Sequence, residues 1–306
     1  MAYYVRVPGT CGEFLQGSAN GQPFLVTCPI DRYSYAVSGV SHPLPYYPCS
    51  MQLKSRLAME AVHKRLAASD VTTFKPVPVY VYSDIIQGKG MASSSADISA
   101  AAIATALASG SHLSYEELAK LCLSIEPSDA SFHPGIVSFD YIHGTKLEPL
   151  GPCPPMTILI FDEGGTVDTV AFNARSDLQS LVAAKEPQVV AALTLFKEGL
   201  RSGDAKAIGA AATASARANQ VILPKQSLEA VTAIGREYGS VGTVVAHSGT
   251  IVGLLFEGDD QTVTTPVDRE QLDACRQAIS TRLPQLTYLD TVHITNEGFT
   301  VRNSPY

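Results

Sequence analysis

The apolar positions of the chain follow two different periods, and each period predicts a type of element. Residues 3–7, 24–28 and 32–38 alternate or cluster β-formers and are separated by Gly, Asn and Pro, which predicts strands. Residues 51–68 carry apolar side chains at helical spacing, and residues 98–108 are rich in alanine. Both stretches are therefore predicted to be helices.

The rest of the chain is divided in the same way. Residues 77–82 are predicted to form a strand, and Ser114-Tyr-Glu-Glu117 has the form of a capping box, with which a helix begins. In the second half we expect three or four helices between about 170 and 238, one helix over 268–281, and strands at 156–161, 241–246, 251–256, 290–295 and 299–303. Strands and helices do not alternate regularly, so the pattern favours an α+β fold over a doubly wound sheet.

A proline-rich run, Pro149-Leu-Gly-Pro-Cys-Pro-Pro155, interrupts the pattern near its middle. Proline at this density breaks helix and sheet alike. The sequence therefore predicts one domain over residues 1–150 and a second over residues 151–306. A rigid loop within a single domain would give the same pattern.

Composition narrows the class of protein. The 306 residues are 45% hydrophobic and 17% charged, with a net charge of −7, which is typical of globular proteins. The acidic balance argues against a general binder of nucleic acid or anionic membranes, since such proteins need a basic patch. No apolar run approaches the roughly 20 residues of a membrane span, and the start lacks the apolar core of a signal peptide. We expect a cytoplasmic protein with no nucleic-acid or membrane partner; its oligomeric state stays open.

The cysteines and histidines carry no recognisable metal or disulfide pattern. Six cysteines stand at positions 11, 28, 49, 122, 153 and 275, and no two form a C-x-x-C pair. We expect reduced, mostly buried thiols. The seven histidines are not clustered, so a zinc site is not expected.

A glycine- and serine-rich segment, Gly88-Lys-Gly-Met-Ala-Ser-Ser-Ser-Ala96, joins a predicted strand to a predicted helix. Glycines let the backbone turn sharply and approach an anion closely. The following helix adds unpaired N–H groups and the positive end of its dipole. Serine hydroxyls can donate to phosphate oxygens or coordinate Mg²⁺, and Lys89 can add a positive charge. The segment is a candidate phosphate-binding loop, and the alternative is an ordinary turn that starts a helix.

Three familiar nucleotide-binding patterns do not fit this loop. A Walker A loop has its lysine after the second glycine, whereas Lys89 lies between the two glycines. The dinucleotide pattern G-x-G-x-x-G fails at its third glycine, where Ser93 stands. The H-R-D and D-F-G motifs of protein kinases are missing from the sequence.

The loop resembles motif 2 of the GHMP kinases, a family that includes galactokinase, homoserine kinase and mevalonate kinase. Gly90-Met-Ala-Ser-Ser-Ser-Ala96 lies over the family pattern G-L-G-S-S-A-A. Pro8-Gly-Thr-Cys-Gly-Glu13 resembles motif 1, and Gly239-Ser-Val-Gly242 with Ala246-His-Ser-Gly-Thr250 resembles motif 3. The order and spacing of the three motifs cover nearly the whole chain.

Within the family, three strings are most similar to the branch that phosphorylates L-threonine in cobalamin synthesis. They are Pro8–Gly17, Gly88–Asp97 and Glu126-Pro-Ser-Asp129. Two departures from the general pattern stand out. Ala92 replaces the second glycine of motif 2, and Thr10 stands where mevalonate kinases carry a lysine, which argues against a lysine-assisted mechanism.

The resemblance implies a fold, ligands and roles. The fold would have an N-terminal domain like ribosomal protein S5 and a C-terminal ferredoxin-like domain, and the ligands would be ATP, Mg²⁺ and a small hydroxy-amino acid. Ser94 and Glu126 would hold Mg²⁺, and Asp129 would be the general base. The implied nucleotide-binding residues are Gly88, Lys89, Gly90, Met91, Ala92, Ser93, Ser94 and Ser95. The implied substrate-binding residues are Glu13, Asp31, His133 and Gly249.

Other interpretations stay open at this point. Glu126 could be a solvated charge at a helix end, and Asp129 could belong to a turn, since Pro127-Ser-Asp is typical of turns. The substrate could be homoserine instead of threonine, since the two differ only in where one carbon is attached. A non-catalytic relative that senses ATP or a metabolite is a third hypothesis.

Overall fold

The computed structural model describes residues 2–40, 53–68, 77–167, 175–258 and 268–306. The strands of these ranges are β1 (Tyr3–Ala19), β2 (Gln22–Ser38), β3 (Val79–Ser83), β4 (Ile136–Phe139), β5 (Leu147–Gly151), β6 (Met156–Asp162), β7 (Gly242–Val245), β8 (Ile251–Glu257), β9 (Thr287–His293) and β10 (Thr300–Arg302). The helices are α1 (Leu53–Ala68), α2 (Ser93–Ala108), α3 (Tyr115–Leu123), α4 (Leu178–Ala184), α5 (Glu186–Ser202), α6 (Ala205–Ala218), α7 (Leu228–Glu237) and α8 (Arg269–Arg282), with a short 3₁₀ turn at Asn219–Val221.

The described strands form one sheet, in which eight of them have the order β5-β4-β2-β1-β7-β8-β6-β9. β10 pairs with β1, and β3 pairs with β2. Every strand pair is antiparallel, and helices are inserted between strands in irregular order. The predicted α+β class is confirmed.

The N-terminal hairpin is longer and more continuous than the sequence pattern predicted. β1 and β2 each run for 17 residues and are joined at Asn20-Gly21, whose φ angles are 53° and 72°. Two successive positive φ angles are what a two-residue hairpin turn requires. The prediction of separate short strands was wrong here, because bulges after Pro8 and around Glu13 absorb the irregular residues without ending β1.

The first half of the sheet meets the second where β1 pairs with β7. The register places Glu13 opposite Val245. Gly12 has a φ of 58°, and a Cβ atom built there would lie 2.3 Å from the Val245 carbonyl oxygen. Only glycine therefore allows the two strands to approach this closely. The predicted division into residues 1–150 and 151–306 stays a prediction.

The proline-rich run does not interrupt the sheet where it was expected to. Pro149 lies within β5, opposite Val137 of β4. β5 is the last strand in the sheet order, and an edge strand can accept proline because one side needs no N–H donor. The loop begins only after Gly151 and leads into β6, which forms between β8 and β9.

Helix α2 lies in the core, against β1, β2 and β3 on one side and α1 and α3 on the other. Alanines along α2 are buried, and their small side chains allow this close packing. The helix begins at Ser93, five residues before the stretch 98–108 that was predicted, since Ala96 already donates to the Ala92 carbonyl at 2.9 Å. The predicted capping box is confirmed. The Ser114 hydroxyl accepts from the backbone N–H of Glu117 at 3.2 Å, and the Glu117 carboxylate accepts from the backbone N–H of Ser114 at 2.9 Å.

Four helices lie between residues 175 and 238, in agreement with the predicted three or four. α5 packs on α6, and α6 packs on β7. Five cysteines are buried and unpaired, namely Cys11, Cys28, Cys122, Cys153 and Cys275, as predicted. Cys49 and the first two residues of the helix predicted for 51–68 lie outside the described residues. Among the described helices, none has the length and apolar character needed to cross a bilayer.

Candidate active site

The phosphate-loop segment is held from one side by the first strand. The backbone N–H of Thr10 donates to the Met91 carbonyl at 3.0 Å, and that of Gly12 donates to the Gly90 carbonyl at 3.1 Å. These carbonyl oxygens are therefore occupied by donors of motif 1. A loop whose carbonyls are engaged elsewhere does not present them to an anion.

Motif 3 holds the same loop from the other side. The N–H groups of Thr250 and Ile251 both donate to the Lys89 carbonyl, at 3.0 and 3.3 Å. A Cβ atom on Gly90, whose φ is 90°, would lie 2.3 Å from the Cβ of Ala246. The three motifs are therefore in direct contact, and the close packing explains why glycine stands at position 90.

Helix α2 points its N-terminal end into a cleft beside this loop. Its N-cap residue is Ala92, which has φ 54° and ψ 27° and offers no side-chain acceptor. The first-turn N–H groups of a helix have no partner inside the helix. Because Ala92 does not cap them, the N–H groups at the start of α2 are available to an anion.

The cleft has a volume of about 280 Å³. It is lined by the loop, the first turn of α2 and four acidic or basic side chains. The lining residues are Glu13, Lys54, Gln87, Gly88, Gly90, Met91, Ala92, Ser93, Ser94, Ser95, Glu126, Pro127, Asp129, Val167 and Ser248. Three carboxylates therefore face a helix N-terminus across one cleft.

Glu126 is bound from two directions. The Ser94 hydroxyl donates to Oε1, and the Lys54 ammonium forms an ion pair with Oε2. Ser94 lies in the first turn of α2, whereas Lys54 lies in the first turn of α1. Lys54 was missed in the sequence, because its only local signal is a place on a helix that also carries other exposed charges.

Asp129 approaches the loop from the segment after α3. Its backbone N–H donates to the Ser95 hydroxyl at 3.3 Å, which ties this segment to α2. The Oδ1 atom is buried and has no hydrogen-bond partner among the residues that the structure describes. Burial raises the pKa of the Asp129 carboxyl well above its ordinary value, and the nearby Glu13 and Glu126 raise it further. Asp129 therefore lines the cleft while its Oδ1 is shielded from water, and this burial favours the neutral carboxyl.

Glu13 enters the cleft from β1. Its Oε2 atom accepts hydrogen bonds from the backbone N–H and the Nδ1 of His247, both at 2.9 Å. Burial raises the pKa of Glu13 to about 7, although the His247 N–H and two lysines oppose the shift. Burial lowers the pKa of His247 well below its ordinary value, so the ring is neutral and Nδ1 carries the donated proton.

Lys89 is turned away from the cleft that its own loop lines. Its ammonium lies 2.7 Å from Asp162 Oδ2 and 3.1 Å from the Gly165 carbonyl. Lys89 was predicted to add a positive charge near the phosphates. In this arrangement its ammonium does not face the cleft, because it is paired with Asp162 at the end of β6. No sequence pattern indicated that Lys89 and Asp162 would meet.

The other predicted substrate residues do not line the cleft either. The Asp31 carboxylate accepts from the backbone N–H of His293 at 2.9 Å and pairs with its Nδ1 at 3.0 Å. The His133 ring lies against Tyr115, with centroids 4.5 Å apart. Gly249 packs behind the loop, where a Cβ would meet the Lys89 carbonyl at 2.3 Å. Of the four predicted substrate residues, the structure brings only Glu13 to the cleft.

The oxygen atoms at the cleft fit a hard divalent cation. Ser94 and Glu126 offer a hydroxyl and a carboxylate side by side, and Asp129 adds the unpartnered Oδ1. Within the described ranges, no three His, Cys, Asp or Glu side chains converge closely enough to hold a metal alone. Mg²⁺ commonly takes one or two protein oxygens and completes its shell with phosphates and water.

Comparisons with known proteins found a matching family profile and two similar kinases. The sequence profile described as the GHMP kinases N terminal domain matches residues 54–136. The L-threonine kinase of Salmonella typhimurium is 34% identical over 255 residues, which cover 82% of each chain. The L-threonine kinase of Citrobacter freundii is 33% identical over 256 residues, which cover 82% of this chain and 85% of that protein.

The fold is shared with more distant proteins. The crystal structure of homoserine kinase from Cytophaga hutchinsonii superposes with a TM-score of 0.69 over 98% of this chain and 97% of that chain, at 14% identity. At this identity the likeness concerns the fold alone. The identity to the two L-threonine kinases, with the profile match, shows that this chain belongs to the GHMP kinases, in the same family as those two proteins.

Proposed function

We propose that the protein transfers the γ-phosphoryl group of ATP to the hydroxyl of L-threonine and releases ADP and O-phospho-L-threonine. The observation that carries this proposal is that Asp129, whose Oδ1 is buried and unpartnered among the described residues, lines the same cleft as the start of α2. A proton acceptor and a phosphate-binding helix N-terminus are the two parts that phosphoryl transfer to an alcohol needs. The family membership supports the same reaction.

The nucleotide phosphates are assigned to the loop and to the first turn of α2. The N–H groups at Ser93–Ser95 are uncapped, and the hydroxyls there add further donors. Ser94 and Glu126 would hold Mg²⁺, which would neutralise negative charge on the phosphates when bound. Lys54 sits on the other oxygen of Glu126 and adds positive charge at the same place.

The acceptor hydroxyl is assigned to Asp129. The hydroxyl oxygen attacks the γ-phosphorus, the bond to the β,γ-bridging oxygen breaks, and the hydroxyl proton passes to the Asp129 carboxylate. Asp129 must be ionised to accept this proton, and cations bound at the cleft would oppose the effect of burial, which raises its pKa. Glu13, whose Oε2 is held by His247, is assigned to the ammonium group of the amino acid.

Homoserine is the nearest alternative acceptor. A shifted carbon changes binding in an apolar pocket by only about 1–3 kcal/mol. We prefer threonine because the two relatives at 33% and 34% identity are L-threonine kinases, whereas the homoserine kinase is similar in fold alone. By the resemblance of the three motif strings, the product serves the nucleotide loop of cobalamin.

The test is an assay of ADP release from Mg-ATP with a panel of L-threonine, L-homoserine, L-serine, galactose and mevalonate. Threonine is expected to give the highest kcat/KM. Turnover with homoserine and none with threonine would assign the other substrate. No turnover with any acceptor, together with tight ATP binding in a calorimeter, would favour a sensor.

A further inference from the structure

We propose that a small cavity next to the cleft binds the α-carboxylate of the amino-acid substrate through Lys185 and Asn219. The inference rests on the proposed function, since it assigns one more group of the same substrate. Neither residue was singled out by the sequence, and neither lines the main cleft.

The cavity is enclosed by segments that are far apart in the chain. Its volume is about 10 Å³, which is room for a single water or a carboxylate oxygen. Lys185 comes from the junction of α4 and α5, Asn219 from the end of α6, and Gln16 from β1. Tyr141 and His247 complete the polar wall, and aliphatic side chains close the remaining sides.

Lys185 is a buried cation that has no counter-ion in contact within the described ranges. Its ammonium donates to the Asn219 Oδ1 at 2.8 Å, and the residue is only 4% exposed. Among the described residues, no carboxylate oxygen lies within 4 Å of this ammonium, so its direct partner is a neutral amide. Burial lowers the pKa of Lys185 to about 8, while Glu13 at longer range opposes the shift. A bound anion would supply the missing opposite charge.

Asn219 provides the second, independent observation. The residue is 2% exposed, and its Nδ2 atom is buried with no hydrogen-bond partner in the described part of the chain. A buried amide donor left without a partner costs free energy and is rare in folded proteins. Since Oδ1 is already bound by Lys185, the side chain cannot satisfy Nδ2 by exchanging its two ends. A negatively charged acceptor in the cavity would give Lys185 a counter-ion and Asn219 Nδ2 a hydrogen-bond acceptor.

The neighbouring side chains favour a carboxylate over a cation. Tyr141 is within hydrogen-bonding reach of Gln16, and burial raises the pKa of the Tyr141 hydroxyl, which keeps it protonated as a donor. His247 is neutral and already donates its Nδ1 proton to Glu13. No acidic side chain lines the described cavity.

The position of the cavity suits an α-amino acid whose hydroxyl meets Asp129. His247 lines the cavity and is bonded to Glu13, which lines the cleft, so the two spaces share this pair as a wall. Glu13 interacts electrostatically with both Asp129 and Lys185. In threonine the carboxylate and ammonium share one carbon and the hydroxyl is on the next. In the proposed binding mode the hydroxyl, ammonium and carboxylate are assigned to Asp129, Glu13 and Lys185, respectively.

The experiment compares L-threonine with L-threoninamide, in which a neutral amide replaces the carboxylate. The wild-type protein is expected to prefer threonine by about 10- to 100-fold in kcat/KM, as a lost charged hydrogen bond implies. Lys185→Met keeps the volume of the side chain and removes its charge. It is expected to raise KM for threonine by a similar factor, to leave KM for ATP unchanged, and to abolish the preference over threoninamide.

Asn219→Asp is the second variant, chosen because it is isosteric and keeps the protein folded if Lys185→Met does not. The new carboxylate pairs with Lys185 and repels the substrate, so the preference for threonine is expected to disappear here as well. Calorimetric binding of threonine in the presence of ADP gives a readout separate from turnover. The matched control is Lys206→Met, an exposed lysine on α6, which should change neither ratio.

The outcomes distinguish a failure of the carboxylate site from a failure of the proposed kinase reaction. If the wild type phosphorylates threonine and threoninamide equally well, the carboxylate site is wrong and the proposed function stands. The same holds if both variants retain the wild-type preference. If the wild type does not phosphorylate threonine at all but binds it, and Lys185→Met or Asn219→Asp weakens that binding, the carboxylate site stands and the kinase reaction fails.

Discussion

Glu13 accepts two hydrogen bonds from His247, although the two residues are 234 positions apart in the chain. The contact joins motif 1 to motif 3 beside the only register pair recorded between β1 and β7 in the described sheet. It positions the Glu13 carboxylate toward the cleft and orients the neutral imidazole.

Glu13 should make stability and substrate binding depend on pH near neutrality. Its ordinary pKa is 4.5, and burial raises the pKa to about 7 in the folded chain. Between these values the folded chain holds a proton that the unfolded chain has lost. The stability contributed by Glu13 is therefore full below pH 4.5 and is lost as pH rises through about 7.

Glu13→Gln should flatten this part of the pH dependence of the unfolding free energy and raise stability at pH 8. It should also raise KM for threonine by about tenfold, since a charged hydrogen bond to the ammonium is lost. Urea unfolding from pH 5 to 8 measures the first effect, and Glu257→Gln, an exposed carboxyl at the end of β8, is the control. An unchanged slope in Glu13→Gln would contradict the assignment.

Asp129→Asn should separate stability from activity. Removing the proton acceptor is expected to lower kcat by about 10²- to 10⁴-fold, with KM for ATP nearly unchanged. Because burial raises the pKa of Asp129, the ionised carboxylate destabilises the fold at neutral pH. The variant should therefore melt at a higher temperature than the wild type. Full activity in steady-state assays would remove Asp129 from the role of base.

Ser94→Ala should weaken the response to Mg²⁺. The variant removes one candidate ligand and the donor that orients Glu126 Oε1. The Mg²⁺ concentration for half-maximal activity is expected to rise by about 10- to 100-fold. Titration of activity with MgCl₂ at saturating ATP measures it. Ser202→Ala, at the exposed end of α5, should respond like the wild type; an identical titration curve for Ser94→Ala would mean that the loop is misassigned.

Lys54→Met should raise KM for ATP by about fivefold, a modest effect because the Lys54 side chain is 44% exposed and solvent screens its charge. Lys54→Arg should restore most of the loss, since the charge is retained. The control is Lys64→Met, on an exposed position of the same helix α1. Steady-state kinetics at two salt concentrations would show a smaller difference between Lys54→Met and the wild type at high salt. Equal effects of the two substitutions to Met would reject a specific role.

Ala92→Gly should stabilise the protein. Ala92 holds a left-handed conformation with φ 54°, which costs about 1–2 kcal/mol for a residue with a Cβ. Glycine removes this cost but gains freedom in the unfolded chain, so the expected net gain is about 0.5–1 kcal/mol. Ala96→Gly, four residues into the regular helix, should instead cost about 1 kcal/mol or more. Chemical unfolding of both variants provides the measurement, and a destabilised Ala92→Gly would contradict the strain.

Local sequence chemistry accounts for the parts of the molecule that near neighbours control. The capping box at Ser114 and Glu117, the helical spacing of α1 and the turn into α2 depend on residues within a few positions. The order of the three motifs was likewise enough to identify the family. Ser94, Glu126 and Asp129 all line one cleft. The roles predicted for them stay predictions until they are assayed.

Long-range packing decides the contacts that give the site its electrostatics. Glu126 meets Lys54 over 72 positions and Lys185 meets Asn219 over 34, and no periodicity in the sequence encodes either meeting. The orientation of Lys89 was likewise not predictable from the sequence. The packing of β6 pairs its ammonium with Asp162 and turns it away from the cleft that its own loop lines. Burial, and with it the raised pKa values of Glu13 and Asp129, exists only once these elements pack together.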